Sequence, residues 1–174
     1  WISINPTGLF YVFTNNNYIS GRTNAIAFHP TDPNTIYIAA AQGGVWKTTN
    51  GGVNWIVITD NLPTLACGDI AIDKTNPNIL YLGTGELNYS GDSQYGNGIF
   101  KSTDAGATWF QIAPASLVSS RCSQISIDPT NSNIIYMAGG YGVFKSTNAG
   151  VNWISTASGN NANCVLINPI NTNI

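Results

Sequence analysis

The strongest constraint on this chain is that it repeats itself. The stretch NAIAFHPTDPNTIY from Asn24 to Tyr37 returns as GDIAIDKTNPNILY from Gly68 to Tyr81, and again as SQISIDPTNSNIIY from Ser123 to Tyr136. A fourth copy starts at Cys164 and runs CVLINPINTNI to Ile174. Each copy alternates apolar and other residues, passes through Asp/Asn/Pro turn chemistry, and continues as a β-branched run ending in tyrosine. That pattern predicts two strands joined by a tight turn. A second half follows the first three copies: GVWKTTN from Gly44, GIFKSTD from Gly98 and GVFKSTN from Gly142, each leading through a glycine-containing turn to Trp55, Trp109 or Trp153. Four short strands per unit of ~40–45 residues is the make-up of one propeller blade. No helical periodicity is sustained anywhere, so helical solenoids are excluded. The expectation is an all-β chain forming a β-propeller of four-stranded antiparallel blades, with blades near residues 24–58, 68–113 and 123–157 and the start of another at 163–174.

Composition fits a repeat of strands and turns. Of 174 residues, 8% are charged and 43% hydrophobic; polarity comes from Asn, Thr, Ser and Gly. A net charge of -2 gives no basic footprint for nucleic acid, and no apolar run approaches the ~20 residues that span a bilayer. The chain opens at Trp1 without a signal peptide, as a mature or trimmed product does. Each propeller blade buries its faces on its neighbours, so three blades imply that the sequence is part of a longer protein whose remaining blades are its partners. Of three cysteines, Cys67 and Cys122 each stand six residues before a turn aspartate, Asp73 or Asp128. They read as small buried hydrophobes on first strands. A disulfide between them in an oxidising compartment, and the state of Cys164, stay open. Cysteine spacing argues against a metal site.

The turn octets are TTNGGVNW from Thr48 to Trp55, STDAGATW from Ser102 to Trp109 and STNAGVNW from Ser146 to Trp153. They resemble the Asp-box, the SxDxGxxW repeat of the BNR and sortilin-like propellers, with Asn replacing Asp in two of the three. An acid or amide side chain accepts hydrogen bonds from turn amides, glycine allows a backbone shape that Cβ would penalise, and tryptophan buries a large ring between blades. Asn50, Gly52, Trp55, Asp104, Gly106, Trp109, Asn148, Gly150 and Trp153 are therefore expected to be structural. The resemblance implies a secreted or cell-surface protein of bacterial type, with ligands meeting the face opposite the boxes.

That opposite face is built from the connections between second and third strands. The connection in blade two is about ten residues longer than those in blades one and three, and a long polar loop on a rigid scaffold is where binding residues concentrate. Glu86, Asn88, Tyr89, Asp92 and Tyr95 are its candidate ligand-binding residues, with Gln42 and Tyr141 in the shorter loops of blades one and three. Tyrosine offers sugars a flat face and a hydroxyl; the carboxylates suit sugar hydroxyls or a hard cation such as Ca²⁺, the one cofactor considered. Alternatively, Glu86 and Asp92 simply hold their own loop.

Two enzyme families sharing the repeat can be compared residue by residue. Xyloglucanase-type glycoside hydrolases place a catalytic aspartate just after the second strand of a blade like the first one here, and the matching position is Ala41. Sialidases use three arginines to hold a carboxylate; this chain has only Arg22 and Arg121. His29, the single histidine, occupies the turn position filled by Asp73, Asp128 and Asn168 elsewhere, which predicts a turn role and no Ser/His/Asp set. The leading expectation is a non-enzymatic module that binds a glycan or protein. The alternative is an extracellular glycoside hydrolase, xyloglucanase- or sialidase-like, with catalytic residues partly outside this segment. A third family with this repeat, the photosystem assembly factors, finds no supporting feature in the residues.

Overall fold

A computed structural model describes residues 22–88 and 91–169, together with the backbone of two short paired strands, β1 (Leu9–Phe10) and β2 (Tyr18–Ile19). There is no helix among the described residues. Three sheets follow one another: β3 (Thr23–Phe28), β4 (Ile36–Ala40), β5 (Gly44–Thr48) and β6 (Ile56–Val57); β7 (Cys67–Ile72), β8 (Leu80–Thr84), β9 (Gly98–Ser102) and β10 (Phe110–Pro114); β11 (Cys122–Ile127), β12 (Ile135–Gly139), β13 (Gly142–Ser146) and β14 (Ile154–Ser158). Within each sheet the strands lie in chain order and pair antiparallel, the meander of a propeller blade. The first strands β3, β7 and β11 stand side by side.

The apolar cores lie in the seams between sheets. Tyr37, Leu80 and Leu82 fill the seam between the first two blades, while Tyr81, Ile135 and Met137 fill the next; all six are essentially inaccessible to solvent. A strand with both faces covered loses strict alternation, which explains the fully buried pattern of β8.

Each octet turn closes on itself by the same hydrogen bonds. The box oxygen, Oδ1 of Asn50, Asp104 or Asn148, accepts the amide four residues on and the hydroxyl of Thr48, Ser102 or Ser146 at 2.8–3.0 Å. The same hydroxyls accept the amides of Gly52, Gly106 and Gly150. Asn substitutes for Asp because only one oxygen is needed. At Asp104, hydrogen bonds from the Thr108 hydroxyl and amide and from Ser102 hold the carboxyl down at about 2. Ala105 and Ala149, both at φ 55, turn their carbonyls toward the preceding blade. There the Ala105 carbonyl accepts Lys47 Nζ at 3.0 Å and Tyr37 OH at 3.4 Å, and the Ala149 carbonyl accepts Lys101 Nζ at 3.1 Å and Tyr81 OH at 3.4 Å. Lysine and tyrosine sit opposite each other in the ladder, with the ammonium over the ring. Tyr37 and Tyr81 therefore stand second in β4 and β8, near the start of the strand and not at its end, where they clamp the next blade's turn.

The first strands are laced together near their bulges. Asn24 Nδ2 donates to the Cys67 carbonyl at 2.7 Å, and Ser123 Oγ to the Ala162 carbonyl at 2.5 Å. Asp69 Oδ2 accepts the Ile125 amide at 2.6 Å; Gln124 Oε1, at the equivalent repeat position, accepts the Val165 amide at 3.0 Å. Residues 162–165 thus lie beside β11 much as β11 lies beside β7, although residues 161–168 form no strand ladder. Cys67 and Cys122 are buried free thiols and Cys164 is an exposed one. Burial pushes the Cys67 thiol up to about 12.

Burial raises the Asp69 carboxyl from 3.8 to about 6, against the opposing pull of the Ile125 and Ile70 amides. The folded state thus holds the proton more tightly than the unfolded chain, so stability falls as pH rises from about 4 to about 6 and then levels off. Asp69→Asn, which imitates the amide of Gln124, is expected to abolish that slope. The variant should melt with the parent at pH 4 and above it at pH 7.5. Parallel pH profiles in thermal melts of the two proteins would overturn this reading.

Candidate functional site

The connections β4–β5, β8–β9 and β12–β13, with the entries to β3, β7 and β11, meet at the rim opposite the octet turns. Ala41 donates its amide to the Arg22 carbonyl at 2.8 Å, the Gly96 amide reaches the Ser120 carbonyl at 2.7 Å, and the Gly140 amide reaches the Arg121 carbonyl at 3.0 Å. The blade-two insertion is fastened across this rim. Arg22, at the entry to β3, pairs with Glu86 Oε2 through one terminal nitrogen and approaches Asp92 Oδ2 at 3.3 Å through the other. Gln42 Nε2 donates to the Asp92 carbonyl at 2.7 Å, and Asn88 Nδ2 to Asn24 Oδ1 at 2.9 Å. On the far side of the insertion, the Arg121 guanidinium stacks on the Tyr95 ring with its carbon 4.3 Å from the centroid.

The structure therefore brings Gln42, Glu86, Asn88 and Asp92 into one cluster around Arg22, and sets Tyr95 and Tyr141 on the solvent side toward blade three. Tyr89 lies outside the described residues. Glu86 is fully buried, with Oε1 lacking a hydrogen-bond partner, so it reaches the rim through its arginine and not by direct exposure. Glu86 and Asp92 share a single guanidinium, the arrangement of a latch that ties the insertion to blade one. Ala41 is buried at the end of β4, where a methyl group offers no proton transfer. His29 has the expected turn role: its Nδ1 accepts the Asp32 amide at 3.0 Å. No group of three His, Cys, Asp or Glu side chains suited to a metal ion occurs among the described residues.

Two residues that sequence reasoning left out of the site are the two arginines. Their signal was present in the repeat: Arg22 and Arg121 both stand seven residues before the turn residue, His29 or Asp128, and so both open a first strand at this rim. The structure shows that they grip the same insertion from opposite sides, one through carboxylates and one through an aromatic face.

With the rim described, its relatives can be placed. No family model matches the chain. A xyloglucanase of Acetivibrio thermocellus is 34% identical over 104 residues, which is 51% of this chain and 11% of that protein. A xyloglucanase of Hypocrea jecorina is 28% identical over 128 residues, 67% of this chain and 15% of that protein. The chain thus spans between about a tenth and a sixth of the length of these relatives. Among solved structures, an ancestral GH74 enzyme superposes with a TM-score of 0.65 at 25% identity, covering 87% of this chain and 19% of the other. The GH74 enzyme of Niastella koreensis gives 0.63 at 27% identity, covering 81% and 22%. The chain is a run of β-propeller blades. YCF48 from Cyanidioschyzon merolae, at 18% identity and a TM-score of 0.57, shares the fold. Both sequence relatives are xyloglucanases. No described helix is long and apolar enough to cross a membrane.

Proposed function

We propose that this chain is a three-blade portion of an Asp-box propeller belonging to an extracellular glycoside hydrolase that acts on xyloglucan-type β-glucans. We further propose that residues 163–174 begin its next blade and that the rim around the blade-two insertion faces the glycan. The observation that carries this reading is the 34% identity over 104 residues to a xyloglucanase. The likeness to GH74 structures supports it. Because Ala41 stands where the resemblance puts a catalytic aspartate, the proposal assigns this segment to holding substrate, and the proton-transfer carboxylates to other parts of the protein. Gln42, Asn88, Asp92, Tyr95 and Tyr141 are the side chains offered to sugar hydroxyls and ring faces, and Glu86 positions Asp92 through Arg22. The test is release of reducing ends from xyloglucan by the full-length protein. Sustained release supports the hydrolase; retention on xyloglucan without any release would return the protein to the class of glycan-binding modules.

A further inference from the structure

The two arginines of the rim are not in the same electrostatic state. Arg22 is met by two carboxylates. Arg121 has no carboxylate within ion-pair distance among the described residues, and its Nε is buried without a partner, an uncompensated donor that is costly to keep. The residue is nonetheless firmly held. Its carbonyl accepts the Ser119 hydroxyl and the Gly140 amide, both at 3.0 Å, and its guanidinium carbon sits over the Tyr95 ring. Tyr95 is 66% exposed and Tyr141, beside Gly140 at the tip of the β12–β13 turn, is 53% exposed. Gly140 allows that turn to settle on Arg121: a Cβ there would already stand 3.0 Å from Ser119 Oγ and 3.8 Å from Arg121 Cβ. A cation set over one exposed ring, with a second exposed tyrosine on the turn that bonds its own carbonyl, on a chain of net charge -2, is poorly suited to gathering polyanions in general. It is well suited to one local oxyanion attached to an apolar face.

We infer that Arg121, Tyr95 and Tyr141 form a subsite for a uronate sugar, with the carboxylate taken by the guanidinium and the CH face of the ring set against tyrosine. The inference rests on the reading of this rim as the glycan-facing surface. It goes beyond that reading in naming a charged unit that a neutral glucan backbone does not supply. A planar guanidinium makes two parallel N–H···O bonds to a carboxylate, and the contact with Tyr95 restrains it before the ligand arrives.

Affinity electrophoresis of the full-length protein, in gels containing polygalacturonate, its fully methyl-esterified form or neutral xyloglucan, tests the inference. Polygalacturonate is expected to retard the protein, with retardation falling steeply as salt is raised. The esterified polymer, whose carboxylates are capped, is expected to give at least about tenfold weaker binding, consistent with the loss of a charge-assisted pair. Arg121→Gln and Tyr95→Ala should each remove the polygalacturonate retardation, and Arg121→Gln, whose side chain is not among those offered to the neutral glucan, should leave xyloglucan hydrolysis unchanged. Tyr95→Ala alters an exposed ring and carries the test on its own if Arg121→Gln fails to fold. Equal retardation by the free and esterified polymers, or by parent and Tyr95→Ala, overturns the subsite. Because hydrolysis is measured on the uncharged polymer, loss of that activity in the parent protein would count against the proposed function and not against the subsite.

Discussion

Tyr81→Ala is expected to destabilise the protein by about 3–5 kcal/mol, the cost of emptying a buried aromatic site. Tyr81 is 1% exposed and belongs to the core between the second and third blades. Its hydroxyl reaches the Ala149 carbonyl of the next octet turn, and its ring supports Lys101, whose ammonium lies 5.2 Å from the centroid. Truncation removes the ring, the hydroxyl bond and the lysine's platform together. Tyr81→Phe separates these effects: it keeps the ring and loses a hydrogen bond of 3.4 Å, so its cost should stay below about 1 kcal/mol. Urea unfolding of the full-length protein measures both. A penalty for Tyr81→Phe comparable to that for Tyr81→Ala would place the energy in the hydroxyl and contradict the packing account.

The second large effect is expected at Arg22. Arg22→Met leaves the Glu86 carboxylate buried without its partner, and removing one member of such a pair costs about 3–5 kcal/mol because the remaining charge is uncompensated. Glu86 has no solvent exposure and one oxygen already lacks a hydrogen bond, so water does not take over the arginine's part. Adding Glu86→Gln to Arg22→Met should recover most of the loss by removing the charge. If the double variant is no more stable than the single one, the latch is not electrostatic. The same pair should loosen the insertion at Asp92, measured as faster amide exchange through residues 91–97.

The sequence made some of this site legible and hid the rest for a physical reason. The extra length of the blade-two connection marked Glu86, Asn88, Asp92 and Tyr95 as a group, and chain length is a one-dimensional property that survives without a structure. Which of them faces solvent is not. Glu86 and Asp92 lie six residues apart in one polar loop and share Arg22, yet one is fully buried and the other's side chain is 63% exposed. Loop path, not residue type, separates them. Arg22 and Arg121 looked like two remnants of an incomplete arginine triad until the rim placed them on either side of one insertion.

By itself, the sequence determined the four-strand unit, its repetition, the octet turns and the end of the blades on which the long loop lies. All of these rest on interactions within a few dozen residues, where alternation, turn chemistry and glycine placement act locally. Only the tertiary structure decided what the recurring tyrosines do, that the apolar cores lie between sheets, and how the arginines are partnered. Those depend on the stacking of one sheet against the next. Lys47 finds the Ala105 carbonyl, and Asp69 the Ile125 amide, across separations of 58 and 56 residues, distances over which periodicity within one blade carries no information.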